Sequence, residues 1–388
     1  MGGAAGVTVR EPGAVSSLDD AIGFRPPPYP YDRLDALRVE ADRLEGGAVD
    51  LSVGTPTDPP PPFAAEVLAQ SDTERGYPFS IGSRAYREAA AGWLGRRLGV
   101  DLGADQLAAC IGTKELVAGL PHWLSLRDPS RDTVLYPSIS YPSYAMGAEL
   151  ARCRAVPVPM AADGSLDLGA IAAGDAERAL CLWVNCPANP TGALDDLAAA
   201  ASWGRARRVP VFSDECYVEF TWDGPPRTIL STGVDGVMAV HSISKRSNLA
   251  GVRAGFYAGD PELVAYLSEL RKHGGFMVPG PVQALAAAAW DDDAHVDRQR
   301  DVYRARLEQL RRILDRLGIA SEMPAGAFYL WVRAPDGDGW ALTRQLATSI
   351  GMIVSPGEFY GEAGHGFVRI AAVQPDARID LLERRAAG

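Results

Sequence analysis

The sequence predicts an α/β protein, built on a mainly parallel sheet covered by helices on both faces and joined to a smaller α+β domain. Three observations carry this expectation. Short, continuous apolar runs alternate with helical patterns between about residues 105 and 275, as strands buried on both faces do. Polar residues collect where those runs end, which is where such sheets bind ligands. Beyond about 280 the pattern changes to a long arginine-rich amphipathic helix followed by two strand-like stretches.

Residues 1–25 read as a loose arm, and the proline-rich "FRPPPYPYDRL" (24–34) leads into a first helix. The cluster "GTPTDPPPPF" (54–63) separates that helix from the next, since Pro and Gly in runs mark turns and extended passages. The expected strands are "QLAACIG" (106–112), "DTVLYP" (132–137), "RALCLWVN" (178–185), "VPVFSDE" (209–215), "GVMAVHSIS" (236–244) and "RAGFYAG" (253–259). In the second part, "RQRDVYRARLEQLRRILDRLG" (298–318) has helical spacing, and "AFYLWVR" (327–333) and "HGFVRIAAV" (365–373) read as strands. Lys272 and His273 suit the end of a helix capped by Gly274. The acids of "DDDAHVD" (291–297) suit a helix start better than a metal site.

Composition narrows the partners. A formal net charge of -11 argues against nucleic acid or an anionic membrane as the main partner. No stretch approaches the roughly 18 apolar residues of a membrane span, and the N-terminus lacks the pattern of a secretion signal. The five cysteines form no C-x-x-C pair, which suits a reducing compartment and a cytoplasmic protein.

Among 38 Lys plus Arg, only Lys114, Lys245 and Lys272 are lysines. Arginine keeps its charge permanently, whereas lysine can lose its proton and act as a nucleophile. Lys245 sits in "HSISKRSNLAGVRAG" (241–255), with Ser242 and Ser244 before it and Arg253 after it. At other strand ends, "NCPANPTG" (185–192) places Asn189 in a rigid turn, and "SDECY" (213–217) sets Asp214 and Tyr217 three residues apart. "IGTKEL" (111–116) ends a strand with Gly112 and opens a helix through Thr113 and Lys114, whose free N–H groups suit an anion.

Singly, each residue has an ordinary structural explanation: a cap, a turn, a packed ring, a surface charge. Jointly they offer a phosphate cup, an amine, a lone carboxylate and a phenol with an amide. Pyridoxal 5'-phosphate needs that set: a lysine to bond its aldehyde, an acid for its ring nitrogen and hydrogen bonds to its ring oxygen. No nucleotide-binding glycine motif competes.

From about residue 24 onward the chain resembles the class I/II aminotransferases of pyridoxal-phosphate fold type I. Ser242, Ser244, Lys245, Gly251, Arg253 and Gly255 match that family's lysine signature. The resemblance implies a large domain over 55–277 with a seven-stranded sheet, and a small domain from 26–54 and 278–388. It implies that Lys245 is the Schiff-base lysine and proton shuttle, that Asp214 holds the ring nitrogen's proton, and that Asn189 and Tyr217 bind the ring oxygen. It assigns phosphate to Ser242, Ser244, Arg253 and the Gly112–Thr113–Lys114 turn, and ring stacking to Tyr141 of "SISYPSY". Arg369 of "FVRIA" and the backbone of Gly54, with Asn189, are implied to hold the substrate carboxylate. Tyr77 of "GYPFSIG" is implied to reach the phosphate of a partner subunit, so a homodimer with shared sites is expected.

Within the family, "VDLSVGTPTDP" (49–59), "SDECY", "RKHGGFMVPGPVQ" (271–283) and "PGEFYG" (356–361) are similar to actinobacterial N-succinyldiaminopimelate aminotransferases. The expected substrates are an amino acid donor, glutamate first, and a 2-oxo or semialdehyde acceptor. The alternatives are a specialised-metabolite enzyme acting on a guanidino keto acid, or a lyase or cyclase using the same cofactor. A ligand-sensing homologue without activity stands far behind.

Overall fold

The computed structural model describes residues 24–71 and 75–388. The arm expected over residues 1–25 therefore lies, save its last two positions, outside the described residues. Strand β1 (Val49–Asp50) comes first, and seven strands then build the main sheet. These are β2 (Leu107–Cys110), β3 (Thr133–Pro137), β4 (Arg154–Val158), β5 (Ala179–Asn185), β6 (Val211–Asp214), β7 (Val237–Ser242) and β8 (Gly255–Gly259). Their spatial order is β2-β8-β7-β6-β5-β3-β4, and only β8 runs antiparallel to its neighbours. The α/β fold with a seven-stranded, mainly parallel sheet is thus the observed one.

Alternation along the strands divides the core into two layers. Leu182, Val184, Val211, Ala239 and Phe256 face one layer, with Tyr86, Ala90 and Trp93 of helix Arg84–Trp93. Trp183, Phe212, Met238, Val240 and Tyr257 face the other, with Leu116, Val117 and Leu120 of helix Thr113–Arg127. Such double burial is why these strands read as unbroken apolar runs. Strand β4 was not among the expected strands. Its "RAVPV" carries Pro157 and exposed Arg154, which the edge of a sheet tolerates and its centre does not.

The second sheet is antiparallel and three-stranded: β9 (Tyr329–Arg333), β11 (Ser355–Pro356) and β12 (Phe367–Ala371), with β12 in the middle. Strand β10 (Met352–Ile353) pairs in parallel with β1. Helix Ala294–Arg316 lays Tyr303, Leu307, Leu310 and Leu314 into the core under this sheet. Helix Gly280–Asp291 falls on the small-domain side of the expected boundary, yet its Leu285, Ala286, Ala289 and Trp290 belong to the main sheet's core.

Asp292 accepts from the His295 backbone and ring nitrogen at 2.9 Å each, so "DDDAHVD" opens a helix. Helix Pro261–His273 does end at Gly274, but that residue keeps a right-handed φ of −77°. The left-handed position falls to Gly275, at φ +74°.

Candidate active site

Register brings the site together. Asn185 at the end of β5 pairs with Asp214 at the end of β6, Asp214 pairs with Val240 of β7, and Ser242 ends β7 opposite Gly255. Side chains far apart in sequence therefore emerge together at the carboxyl ends of the central strands. The small sheet supplies the opposite wall through Tyr329 of β9 and Arg369 of β12.

Lys245 lies on the short helix Ile243–Arg246, whose start is capped by Ser242 accepting from the Ser244 backbone at 3.0 Å. Its amine donates to the Gly54 carbonyl. Burial pushes this amine down to about 8, with the charges of Arg369 and Arg253 adding to the effect, so a neutral, nucleophilic fraction exists near neutral pH. Asp214 is buried, which raises its pKa; hydrogen bonds and the Lys245 charge pull partly the other way. Its Oδ2 accepts from the Tyr144 hydroxyl at 3.1 Å and its Oδ1 from the Cys216 backbone at 3.2 Å. A carboxylate held on both oxygens keeps one orientation, and its burial keeps it a good proton acceptor.

The proposed phosphate cup forms around Gly112, which has φ +68° and opens helix Thr113–Arg127. A Cβ there would lie 2.2 Å from the Arg253 guanidinium, so only glycine leaves room for that side chain. Arg253 itself adopts a left-handed φ of 59° and donates to the Ala250 carbonyl at 2.8 Å. Ser242 donates to the Ser244 hydroxyl at 2.7 Å. Thr113 accepts a weak bond from the Cys216 thiol at 3.4 Å, which ties the helix start to the Asp214 turn.

Arg369 is buried on a strand, where an unpaired charge is costly. Its Nη1 donates to Asn189 Oδ1 at 2.8 Å and its Nη2 to the Ser52 carbonyl at 2.6 Å. The guanidinium lies between the rings of Tyr329 and Tyr360, 4.2 and 4.8 Å from their centroids. Its Nε has no partner among the described residues, a donor left for something else. Tyr217 is buried and meets the Tyr329 hydroxyl at 2.8 Å. Tyr141 is half-buried, edge-on to Tyr144 at 6.0 Å, with the Lys114 ammonium 6.0 Å from its ring.

Of the residues expected from sequence, Tyr77 alone stands apart, at 97 % exposure. The structure also adds residues that sequence reasoning missed: Tyr144 on Asp214, Tyr329 and Tyr360 around Arg369, and Tyr31, whose hydroxyl lies 3.0 Å from that of Tyr360. Tyr144 lay inside a quoted motif, three residues after Tyr141. Tyr31, Tyr329 and Tyr360 also fall in stretches that the sequence singles out, but nothing local marks their role, because their partners are far away along the chain.

A buried amine of lowered pKa beside a buried, oriented carboxylate, with a glycine-and-arginine cradle at a helix start, fits a phosphorylated aldehyde cofactor. The fold and this donor set define a fold type I pyridoxal-phosphate enzyme. The model of the family described as aminotransferase class I and II matches residues 47–384, and the chain belongs to that family. It is a pyridoxal-phosphate-dependent transaminase. It is 42% identical to the 4-dedimethylamino-4-oxo-anhydrotetracycline transaminase OxyQ of Streptomyces rimosus, covering 92% of this chain and 98% of that protein. It is 34% identical to the LL-diaminopimelate aminotransferase of Desulforudis audaxviator, over 92% and 94% of the two chains. Among solved structures, a probable N-succinyldiaminopimelate aminotransferase from Thermus thermophilus superposes with a TM-score of 0.83 at 30% identity, covering 92% of this chain and 100% of that one.

Proposed function

We propose that the enzyme moves an amino group from glutamate, or another amino acid donor, to a 2-oxo or semialdehyde acceptor with an acidic far end, in the manner of an N-succinyldiaminopimelate aminotransferase. One observation carries the choice of acceptor. Lys114, exposed beside Tyr141 and Tyr29 at the site's mouth, has no carboxylate partner among the described residues. A cation so placed favours a carboxylate on the substrate's distal end and opposes a guanidinium.

When bound, pyridoxal phosphate supplies an electron sink for a carbanion at the substrate α-carbon. The chain's own groups do the rest. Arg369, with Asn189, grips the substrate α-carboxylate as a paired donor and so fixes which α-bond faces Lys245. The Lys245 amine, once free, takes the α-proton and returns it. Asp214 keeps the ring nitrogen's proton in place, and Asn189 and Tyr217 hold the ring oxygen. Gly112, Thr113, Ser242, Ser244 and Arg253, with the backbone of Lys114, hold the phosphate, which leaves the Lys114 side chain to the acceptor. Gly54, whose carbonyl faces the lysine, brings its backbone N–H to the substrate carboxylate.

Tyr77, fully exposed in one chain, serves the phosphate site of a second copy, so the working unit is a homodimer. The division of the chain into a cofactor-binding body over 55–277 and a closing one from 26–54 and 278–388 belongs to the same reading, although helix Gly280–Asp291 packs on the first of these bodies. The reading places the enzyme in the cytoplasm, consistent with five free thiols.

A second reading, a specialised-metabolite transaminase, has its own support. The identity to OxyQ is one part. The other is a cavity of about 540 Å³ beside the site, which it meets through Tyr360, the ring against Arg369, and whose rim carries the exposed carboxylate of Glu362 that a guanidino group would need. A half-reaction screen decides: the cofactor-loaded enzyme is mixed with single amino acids, and loss of its visible band is followed. Conversion by glutamate and N-succinyldiaminopimelate supports the first reading. Conversion by guanidino or cyclic amines with no response to succinylated substrates transfers support to the second, and elimination products without amino transfer would overturn both.

A further inference from the structure

Tyr329 is where the cofactor wall and the carboxylate wall of the site meet. Its place follows from the small sheet: Tyr329 pairs with Ala371, and Trp331 with Arg369. Tyr329 and Arg369 are therefore diagonal neighbours on one face, within reach of an aromatic and a long side chain. That accounts for the guanidinium lying 4.2 Å from the tyrosine centroid. The hydroxyl points the other way, 2.8 Å from the Tyr217 hydroxyl. Gly54 closes the third side, since a Cβ there would lie 2.1 Å from the Tyr329 oxygen.

Phenylalanine would fill the same space and stack on Arg369 equally well. What the hydroxyl adds is direction. Each tyrosine hydroxyl has a single proton to give. If Tyr329 gives its proton to Tyr217, the Tyr217 proton is free to point at a third acceptor. If the roles reverse, it is spent on Tyr329. Tyr329 is 1 % exposed, and its hydroxyl makes no other hydrogen bond among the described residues. The pair thus behaves as a unit.

We propose that Tyr329 is a positioning residue whose hydroxyl aims the Tyr217 proton into the cofactor cavity, while its ring braces Arg369 for the substrate carboxylate. The inference rests on the reading of Tyr217 as the phenol that faces the cofactor ring oxygen. Its consequence is a division of labour within one side chain: the hydroxyl tunes the cofactor, and the ring serves the substrate.

The test is a spectrophotometric pH titration of the resting, cofactor-loaded enzyme, which needs no turnover. A donor on the ring oxygen holds that oxygen's negative charge, so its loss lets the bound cofactor keep its proton to higher pH. Tyr217→Phe should raise the titration midpoint by about one unit or more, and Tyr329→Phe by about half a unit to one unit in the same direction. The double variant should match Tyr217→Phe alone, because the two hydroxyls act in series. A wild-type midpoint in Tyr329→Phe, or full additivity in the double variant, overturns the inference and leaves the Tyr217 reading standing. A silent Tyr217→Phe overturns that reading, and the inference with it. As the second arm, Tyr329→Leu, which lacks the ring, should raise KM for the amino donor about tenfold. Tyr329→Phe should leave that KM within about threefold, and equal effects in the two variants would refute the division of labour.

Discussion

A methyl group added to Gly112 would sit 2.2 Å from Nη2 of Arg253. The two residues are far apart along the chain, yet the absence of a side chain in one makes room for the charge of the other. Arginine's end is flexible, so Gly112→Ala should move the guanidinium out of the cup instead of unfolding the protein, at a strain cost of about 1 kcal/mol for a left-handed φ. Tryptophan-fluorescence titration of the apoenzyme should show pyridoxal phosphate binding weakened about tenfold or more. Binding of unphosphorylated pyridoxal should be unchanged; equal losses for both would count against a phosphate role for this corner.

Lys245→Ala should leave a folded protein without the cofactor's visible band and with turnover reduced by at least about a thousandfold. In the wild-type apoenzyme, the amine is neutral above about 8 and protonated below it. Cofactor capture should therefore accelerate as pH rises through that value, well before a free lysine at about 10.4 would respond. Stopped-flow capture rates across pH check the sign, and a midpoint near that of free lysine would contradict it.

Asp214→Ala should keep part of the cofactor affinity, because the phosphate cup and Lys245 are untouched. The rate should fall on the order of 10²- to 10⁴-fold, the usual range for losing a positioned proton partner. Steady-state kinetics at saturating cofactor separate the two effects, and loss of affinity without loss of rate would contradict the assignment.

Arg369→Lys should raise KM for the amino donor on the order of tenfold or more, since lysine offers a point charge in place of a planar fork. The resting cofactor spectrum should stay as it is. A spectrum that shifts while KM holds would place Arg369 on the cofactor instead.

The buried pair under the sheet gives a pH signature unrelated to catalysis. Burial raises Glu215 from 4.5 to about 7 and lowers His241 from 6.5 to about 3, with the two side chains 3.3 Å apart. For Glu215, the folded state holds a proton that the unfolded chain releases between about 4.5 and about 7. Its contribution to stability is therefore lost as pH rises through that window. Glu215→Gln should gain thermal stability relative to wild type as pH rises from about 4.5 to about 7 and hold a constant offset above it. Melting curves across that range test this, and a pH-independent offset would refute it.

Much of the site was legible because strand ends are sequence-local events. An apolar run that stops at Asp214, Ser242 or Asn185 announces both the strand and its carboxyl end, and Ser242, Lys245 and Arg253 lie within one short stretch of chain. Strand β4 was not legible, because Pro157 argues against a strand unless the edge position is already known. Tyr31 and Tyr360, joined across 329 positions, and Tyr217 and Tyr329, joined across 112, left no pattern in sequence, since a tyrosine's partner is chosen by the packing of sheets on each other.

By itself, the sequence determined the α/β class, the strand ends that carry chemistry, and the lysine, carboxylate and arginine that chemistry needs, because periodicity and residue type express local backbone and proton affinity. Only the tertiary structure decided which hydroxyl meets which, how far the lysine's proton affinity falls, and that Arg369 is held between two rings. Those are properties of burial and close approach between distant segments, and they exist only once the two sheets face each other.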